Sequence, residues 1–279
     1  MKNILSVDLE SWVHFRAFVL KDKSLQTTRA RKTQDNNYLR SAIDHLLNLL
    51  DKYHQTATFF VVAEVYDWYP ESIQEIQKRG HELGFHSYDH PLIYSRKILD
   101  EQFQKSNSFL NRFHPIGFRA PRIFITVDAL ASLKEHGFIY SSSTYDDGRV
   151  RAIKGIDEIP VSAMPRKWAY DRRAELPQAL NFRLLFRKLP FGSGLFVAIF
   201  GSKISYFIDS FNRRGLPAVL LVHPWQLYGH KKLRGVGFWL ELLRCNPFYL
   251  PYTRNICSDF EKLLARYQFA SFQECFYGY

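Results

Sequence analysis

Short apolar runs alternate with segments of helical periodicity along most of this chain, and few architectures accept that alternation. Ile4-Leu5-Ser6-Val7, Thr58 to Val62, Leu83-Gly84-Phe85, Gly117-Phe118, Tyr140 to Ser142, Glu158 to Val161 and Ala218 to Val222 read as strands. Leu39, Ile43, Leu46, Leu47 and Leu50 recur at helical spacing after the first of them. Pro70 opens a second helix whose Ile73 and Ile76 face inward, and Gly80 follows where a left-handed cap is expected. Further helices are predicted near 97–113, 127–136 (closed by Gly137) and 202–213, and Gly192-Ser193-Gly194 reads as a turn before a helix. Strands joined by helical crossovers define the α/β class, and six or seven of them suggest a barrel.

The 279 residues suffice for one large core, and no linker rich in Pro, Gly or Ser divides them. A single domain over 1–279 is predicted, with a core at 1–225, a basic insertion at 16–36 and a divergent C-terminal segment at 226–279. With 46% hydrophobic and 23% charged residues the chain is neither disordered nor fibrous. Aromatic residues at 16% and a formal charge of +11 point to an anionic or sugar-like partner. Cys245, Cys257 and Cys275 form no Cys-x-x-Cys pair and read as reduced thiols. Asp8 interrupts the amino terminus before an apolar run of signal-peptide length develops, so a cytoplasmic location is expected. The runs at 195–200 and 218–222 fall short of the ~18–20 residues of a bilayer span.

In parallel barrels the reactive groups gather where strands end. Here those ends carry Asp8-Leu9-Glu10, His86-Ser87-Tyr88-Asp89-His90, Arg119-Ala120-Pro121-Arg122 and His223-Pro224-Trp225. Two imidazoles four residues apart can share one metal ion, and Pro91 places His90 at the end of an irregular segment rather than inside a helix. His81 and His86 are one residue too far apart for the helical His-x-x-x-His metalloprotease pattern. Two histidines need a third ligand, and a carboxylate from the first strand is the natural supplier.

These segments, in this order, resemble the polysaccharide deacetylase superfamily, also called the NodB-homology or carbohydrate esterase family 4 group. Ala57 to Val61, Arg79 to Gly84 and Leu221-Val222-His223 are similar to framework segments and to the last motif of that family. The likeness covers about the first 225 residues, and Ser-Val-Asp-x-Glu with the late His-Pro-Trp is most similar to the branch linked to bacterial surface-polysaccharide biosynthesis. It implies a single distorted (β/α) barrel of the NodB-homology type with about seven strands. It also implies a hydrolase that removes an acetyl group from an N-acetylated sugar of a polysaccharide or of its lipid- or nucleotide-linked precursor.

On that resemblance Glu10, His86 and His90 hold one divalent metal, zinc first, with cobalt, nickel or manganese as alternatives. Asp8 is the general base, Arg119 holds Asp8 ionised, and His223 is the general acid. Tyr88, Arg122 and Trp225 contact the sugar, and a backbone N–H near Tyr88 or Arg122 assists the oxyanion. The chain departs from the family in two places. Glu10 stands where a second Asp is usual, and Arg122 replaces the Tyr of Arg-x-Pro-Tyr, which suggests an acidic or phosphate-linked sugar. Tyr145-Asp146-Asp147 and Asp157-Glu158 are both candidates for an acidic partner of His223.

Two competing readings stand beside this one: a metal-independent amide hydrolase on the same fold, as in allantoinase-like members, and a catalytically silent module that binds glycan or membrane. The remaining histidines, His14, His45, His54, His114, His136 and His230, are expected to be structural. Basic residues cluster at Arg16 to Lys32 and at Arg166, Lys167, Arg172, Arg173, Arg183, Arg187 and Lys188. They read as a solvated face or as a docking surface for an anionic membrane, which the mixed aromatic and basic run at 232–249 also fits. No nucleic-acid module accompanies the charge, so nucleic acid is not expected as a partner.

Overall fold

Among the described residues, nine strands form the central sheet: β1 (Asn3–Leu9), β2 (Thr58–Val61), β3 (Glu82–Phe85), β4 (Gly117–Phe118), β5 (Tyr140–Ser141), β6 (Arg151–Ile153), β7 (Ile156–Glu158), β8 (Val219–Val222) and β9 (Phe269–Ala270). The computed structural model describes residues 1–166 and 176–278. Lys167, Arg172 and Arg173 lie outside them. The strand order is β8-β1-β2-β3-β4-β5-β7-β6, with β9 paired to the start of β1. Every pairing is parallel except the β6–β7 hairpin.

The sheet curls into the expected distorted barrel. Alternation along β1 sends Leu5, Val7 and Leu9 into the large core beneath the helices. It sends Ile4 into an inner cluster with Phe60, Tyr140, Ile159, Val219 and Phe272. Gly117 is needed there, because a Cβ on it would lie 2.2 Å from the Tyr140 ring. On the open side, Gly192 N–H donates to Ser162 O (2.9 Å) and Gly192 O accepts from Leu221 N–H (2.7 Å), so the chain after β7 bridges back to β8. A Cβ at Gly192 would meet Val219 O at 2.2 Å, so this bridge admits only glycine.

Several elements differ in detail from expectation. Helices not predicted above, Trp12–Val19 and Thr28–Asp35, form in the stretch after β1 that includes the basic insertion, capped by the Ser11 and Thr27 side chains. The predicted strand at 158–161 divides into β7 and Val161–Ser162, which pairs instead with Tyr145–Asp146. The helix at 97–113 is two helices, Arg96–Lys105 and Asn107–Phe113. Gly80 and Gly137 adopt φ +81°, as their capping positions require. The count rises from seven to nine because β6 folds back on β7 and the tail contributes β9. The run Gly194–Arg213 has a mean hydropathy of 1.3 over a span-length window. It is half buried and changes direction at Gly201, between helices Gly194–Phe200 and Ser205–Arg213.

Candidate active site

At the carboxyl ends of β1, β3, β4 and β8 the structure converges the groups that the motifs supply. Ser6 and Asp8 share one face of β1, and a single guanidinium nitrogen records it: Arg119 Nη1 donates to Ser6 Oγ (2.8 Å) and to Asp8 Oδ1 (2.8 Å). Arg119 also donates to Ser142 O (2.9 Å) and Ser142 Oγ (2.8 Å), and its guanidinium lies 4.2 Å from the Phe60 ring centroid. It is fully buried, so it holds Asp8 by charge in a place that water does not screen.

His86 follows β3 and is fully buried. Its Nδ1 lies 2.7 Å from Arg119 O, an acceptor only, so the proton sits on Nδ1 and the lone pair on Nε2. That Nε2 has no protein partner and lies 3.7 Å from Asp8 Oδ2. Ser87 and His90 adopt left-handed backbone, φ 67° and 65°, and the Ser87 hydroxyl accepts from His90 N–H (3.1 Å). This turn brings His90 back beside His86, with ring centroids 5.0 Å apart. The irregular segment before Pro91 is as expected.

Glu10 completes the group. One carboxylate oxygen lies 3.4 Å from His90 Nε2 and the other 3.4 Å from His223 Nε2. Ligand atoms of Glu10, His86 and His90 all fall within 4.8 Å of one another. Burial pushes the Glu10 carboxyl up, but the imidazoles of His90, His223 and His86 outweigh it and hold the group at about 2. Burial lowers His86, and it lowers His90 to about 3, so both rings are neutral and carry lone pairs. Two neutral imidazoles, one ionised carboxylate and two buried nitrogen and oxygen atoms without protein partners (His86 Nε2, Glu10 Oε2) fit a divalent cation such as zinc.

His223 ends β8 and stacks on Trp225 with centroids 4.5 Å apart. Burial lowers its pKa, but Glu10, Asp8 and Gln226 outweigh that and raise it. The expected acidic partner is not there. Asp146 binds Lys188 (2.8 Å) and Arg151 (3.3 Å), Asp157 accepts from the Tyr277 hydroxyl (3.1 Å), and Glu158 accepts from Ser143 N–H (2.7 Å). His223 Nδ1 instead faces Gln226 Oε1 at 3.1 Å, and the same oxygen accepts from His223 N–H at 3.1 Å. Gln226 Nε2 donates in turn to Gly194 O (2.9 Å). Gln226 lies in helix Pro224–Leu227, one residue beyond the His223-Pro224-Trp225 motif, so strand-end reading stopped just short of it.

Tyr88 also departs from expectation. Its hydroxyl donates to Asp67 (3.0 Å) and its peptide N–H to Gln102 Oε1 (2.8 Å), so neither points to the site. The cleft is lined by Asp8, Glu10, His90, Arg122, His223 and Trp225, among others. Phe15, Phe18, Tyr249 and Tyr252, also in its walls, were not found by strand-end reading, because they come from helix Trp12–Val19 and from the turn Pro247–Thr253. His14 is structural, as expected: it accepts from Ser11 N–H and holds Glu64 Oε1 (2.7 Å), which also receives Arg31 (2.6 Å).

Fold and site together define a class: a NodB-type barrel whose mouth combines three side chains that could hold one metal ion with a carboxylate held by an Arg and a buried His. Residues 28–141 match the family model described as polysaccharide deacetylase. It is 25% identical over 147 residues to the peptidoglycan-N-acetylmuramic acid deacetylase PdaA of Bacillus subtilis, covering 50% of this chain and 52% of that one. It is 28% identical over 121 residues to a peptidoglycan-N-acetylglucosamine deacetylase of Bacillus cereus, covering 41% and 56%. The chain thus spans about half the length of these curated relatives. A crystal structure from Mycobacterium smegmatis, assigned to the polysaccharide deacetylases, superposes with a TM-score of 0.53 at 18% identity over 94% of this chain and 89% of that one, which supports the fold.

Proposed function

We propose that the chain is a metal-dependent deacetylase that hydrolyses the N-acetyl group of a sugar in a polysaccharide or its precursor. The observation that carries this reading is the convergence of Glu10, His86 and His90 within 4.8 Å beside Asp8 and His223 in one cleft. Held by those three residues, a divalent ion would polarise the amide carbonyl and acidify a water molecule. Asp8 uses its free oxygen, Oδ2, as general base, while Oδ1 stays fixed by Arg119. His223 keeps its Nδ1 proton on Gln226 and presents Nε2 to the cleft, where a second proton can pass to the departing amine. Trp225 fixes the plane of the His223 ring.

A metal-independent hydrolase would leave two imidazoles and a carboxylate gathered with no task. The test is mass spectrometry of N-acetylated sugars incubated with the metal-loaded protein. Loss of one acetyl group, abolished in Asp8→Asn and His223→Ala, supports the reading; unchanged product in His223→Ala would sink it.

The reading extends to where the glycan is met. Helix Val236–Cys245 is apolar on two sides: Phe238 and Leu242 are buried, while Val236 (69%), Leu240 (50%) and Leu243 (47%) are exposed at i, i+4 and i+7. Residues 226–256 carry five cations, Lys231, Lys232, Arg234, Arg244 and Arg254, against Glu241 alone. An apolar stripe with a cationic rim suits the surface of an anionic bilayer, where a lipid-linked sugar would be presented.

A further inference from the structure

Arg122 is the cation of the cleft that no described carboxylate neutralises. Asp8 is paired with Arg119, and Glu10 lies between His90 and His223, 3.4 Å from each. On the adjoining wall Arg31 is matched by Glu64 and Asp89 by Lys105. Arg122 has neither an ion pair nor a side-chain hydrogen bond among the described residues, although it is half-buried. Its guanidinium carbon lies over Phe18, 3.7 Å from the ring centroid, a cation–π contact that leaves the N–H donors without a hydrogen-bond partner among the described residues. Burial lowers its pKa, and the hydroxyls of Tyr249 and Tyr94 with the carboxylate of Glu10 oppose that shift only in part.

The backbone reinforces the point. Arg122 and Ile123 sit at φ 57° and 56°, two consecutive side-chain-bearing residues in the left-handed region, each of which costs of order 1–3 kcal/mol unless the surroundings impose it. That conformation places Arg122 between the catalytic cleft and a second hollow walled by His14, Phe18, Arg31 and His90. A planar fork of donors held rigidly beside the reacting groups is suited to bidentate recognition of an oxyanion.

We infer that Arg122 selects substrates in which the N-acetylated sugar carries an oxyanion, a carboxylate or a phosphate, next to the amide. This rests on the deacetylase reading for the sugar and on Arg122 alone for the anion. A charged hydrogen bond is worth about tenfold to a hundredfold in affinity.

The test is calorimetric binding of N-acetylglucosamine, N-acetylmuramic acid and N-acetylglucosamine 1-phosphate to the metal-loaded protein and to Arg122→Met, which keeps the packed stem, and Arg122→Lys, which keeps the charge. The expected result is tenfold or greater preference for one of the two anionic sugars, reduced to near parity by Arg122→Met and partly kept by Arg122→Lys. Whichever anionic sugar shows it identifies carboxylate or phosphate as the source. Equal affinity for all three sugars, or a preference that survives Arg122→Met, overturns the inference. Acetate release is read separately: anion preference without hydrolysis would leave the subsite standing and defeat the deacetylase reading, while hydrolysis without preference would do the opposite.

Discussion

Replacing Gln226 by Leu tests the site at the position that strand-end motifs left unassigned. The side chain is fully buried and joins three groups: His223 N–H, His223 Nδ1–H and Gly194 O. Leucine nearly matches its volume but leaves all three unpaired. At roughly 1–1.3 kcal/mol for each lost bond and its desolvation, the loss is about 3–4 kcal/mol. In a domain of this size that is about 6–16 °C in Tm. Activity should fall further than stability explains. Without the amide oxygen the imidazole loses the bond that fixes its tautomer, and the general-acid contribution at risk is about 100-fold or more. We expect kcat at 20 °C, below the variant's melting range, to drop by about that factor with KM within a few-fold, since Gln226 does not touch the sugar. Gln226→Glu separates positioning from folding. A carboxylate still accepts from both His223 donors but repels Gly194 O, so it should restore much of kcat while remaining less stable than wild type. The assays are acetate release under saturating substrate and thermal melting. A Gln226→Leu enzyme with kcat within threefold of wild type would refute the reasoning, and so would a Gln226→Glu enzyme that regains stability but not rate.

Further outcomes are expected. Exhaustive chelation should abolish activity, one equivalent of zinc or cobalt should restore it, and His86→Ala or His90→Ala should lose metal stoichiometry by elemental analysis; full activity after chelation would exclude the metal reading. Arg119→Met should destabilise the fold by about 3–5 kcal/mol in denaturant melts, because Asp8 would remain buried without its counter-charge. Acid stability should depend on Glu64: burial raises its pKa, but His14 and Arg31 lower it below its ordinary value near 4.5. Its contribution is therefore complete above about pH 5 and lost as pH falls through the folded value, so Glu64→Gln should be less stable at pH 7 and show a shallower decline in Tm below pH 5. Leu240→Ser combined with Leu243→Ser should release the protein from anionic phosphatidylglycerol vesicles in sedimentation assays, while wild type binds these and not neutral phosphatidylcholine vesicles; equal behaviour of the two proteins would remove the docking face.

The parts of this fold that sequence exposed are those where one strand, read alone, states its surroundings. β1 is buried on both faces, so its run is continuously apolar, and the interruptions at Ser6 and Asp8 mark the side that meets Arg119. Pro91 announced the irregular His90 turn, and Gly80 and Gly137 announced their caps, because each is a backbone constraint local to a few residues. What stayed hidden depends on partners far apart in the chain. Helix Thr28–Asp35 is strongly polar and is fixed by Arg31 and Thr28 reaching Glu64, more than thirty residues on, so its periodicity carries little signal. The pairing of β9 with Asn3 and Ile4 joins the two chain ends across more than 260 residues, and two residues are too few for a strand to declare itself.

His223 shows the same limit at the level of chemistry. Knowing that an imidazole needs a partner on Nδ1 directs attention to carboxylates, and two acidic clusters stood available in the sequence. The structure assigns Asp146 to Lys188 and Glu158 to Ser143 and Thr144, each by a bond that only the folded chain creates. An amide in place of a carboxylate has a physical consequence. A carboxylate on Nδ1 would add a further buried negative charge to a pocket that already holds Asp8 and Glu10, whereas Gln226 supplies the same acceptor with no charge. Two carboxylates, Asp8 and Glu10, then face two guanidiniums, Arg119 and Arg122, so a divalent ion held at the site would leave the pocket cationic, which favours an anionic group arriving on the substrate over one built into the protein. The Gln at 226 and the Arg at 122 are thus two halves of one electrostatic arrangement, and the double variant Gln226→Glu with Arg122→Met should lose anion preference while keeping a paired His223.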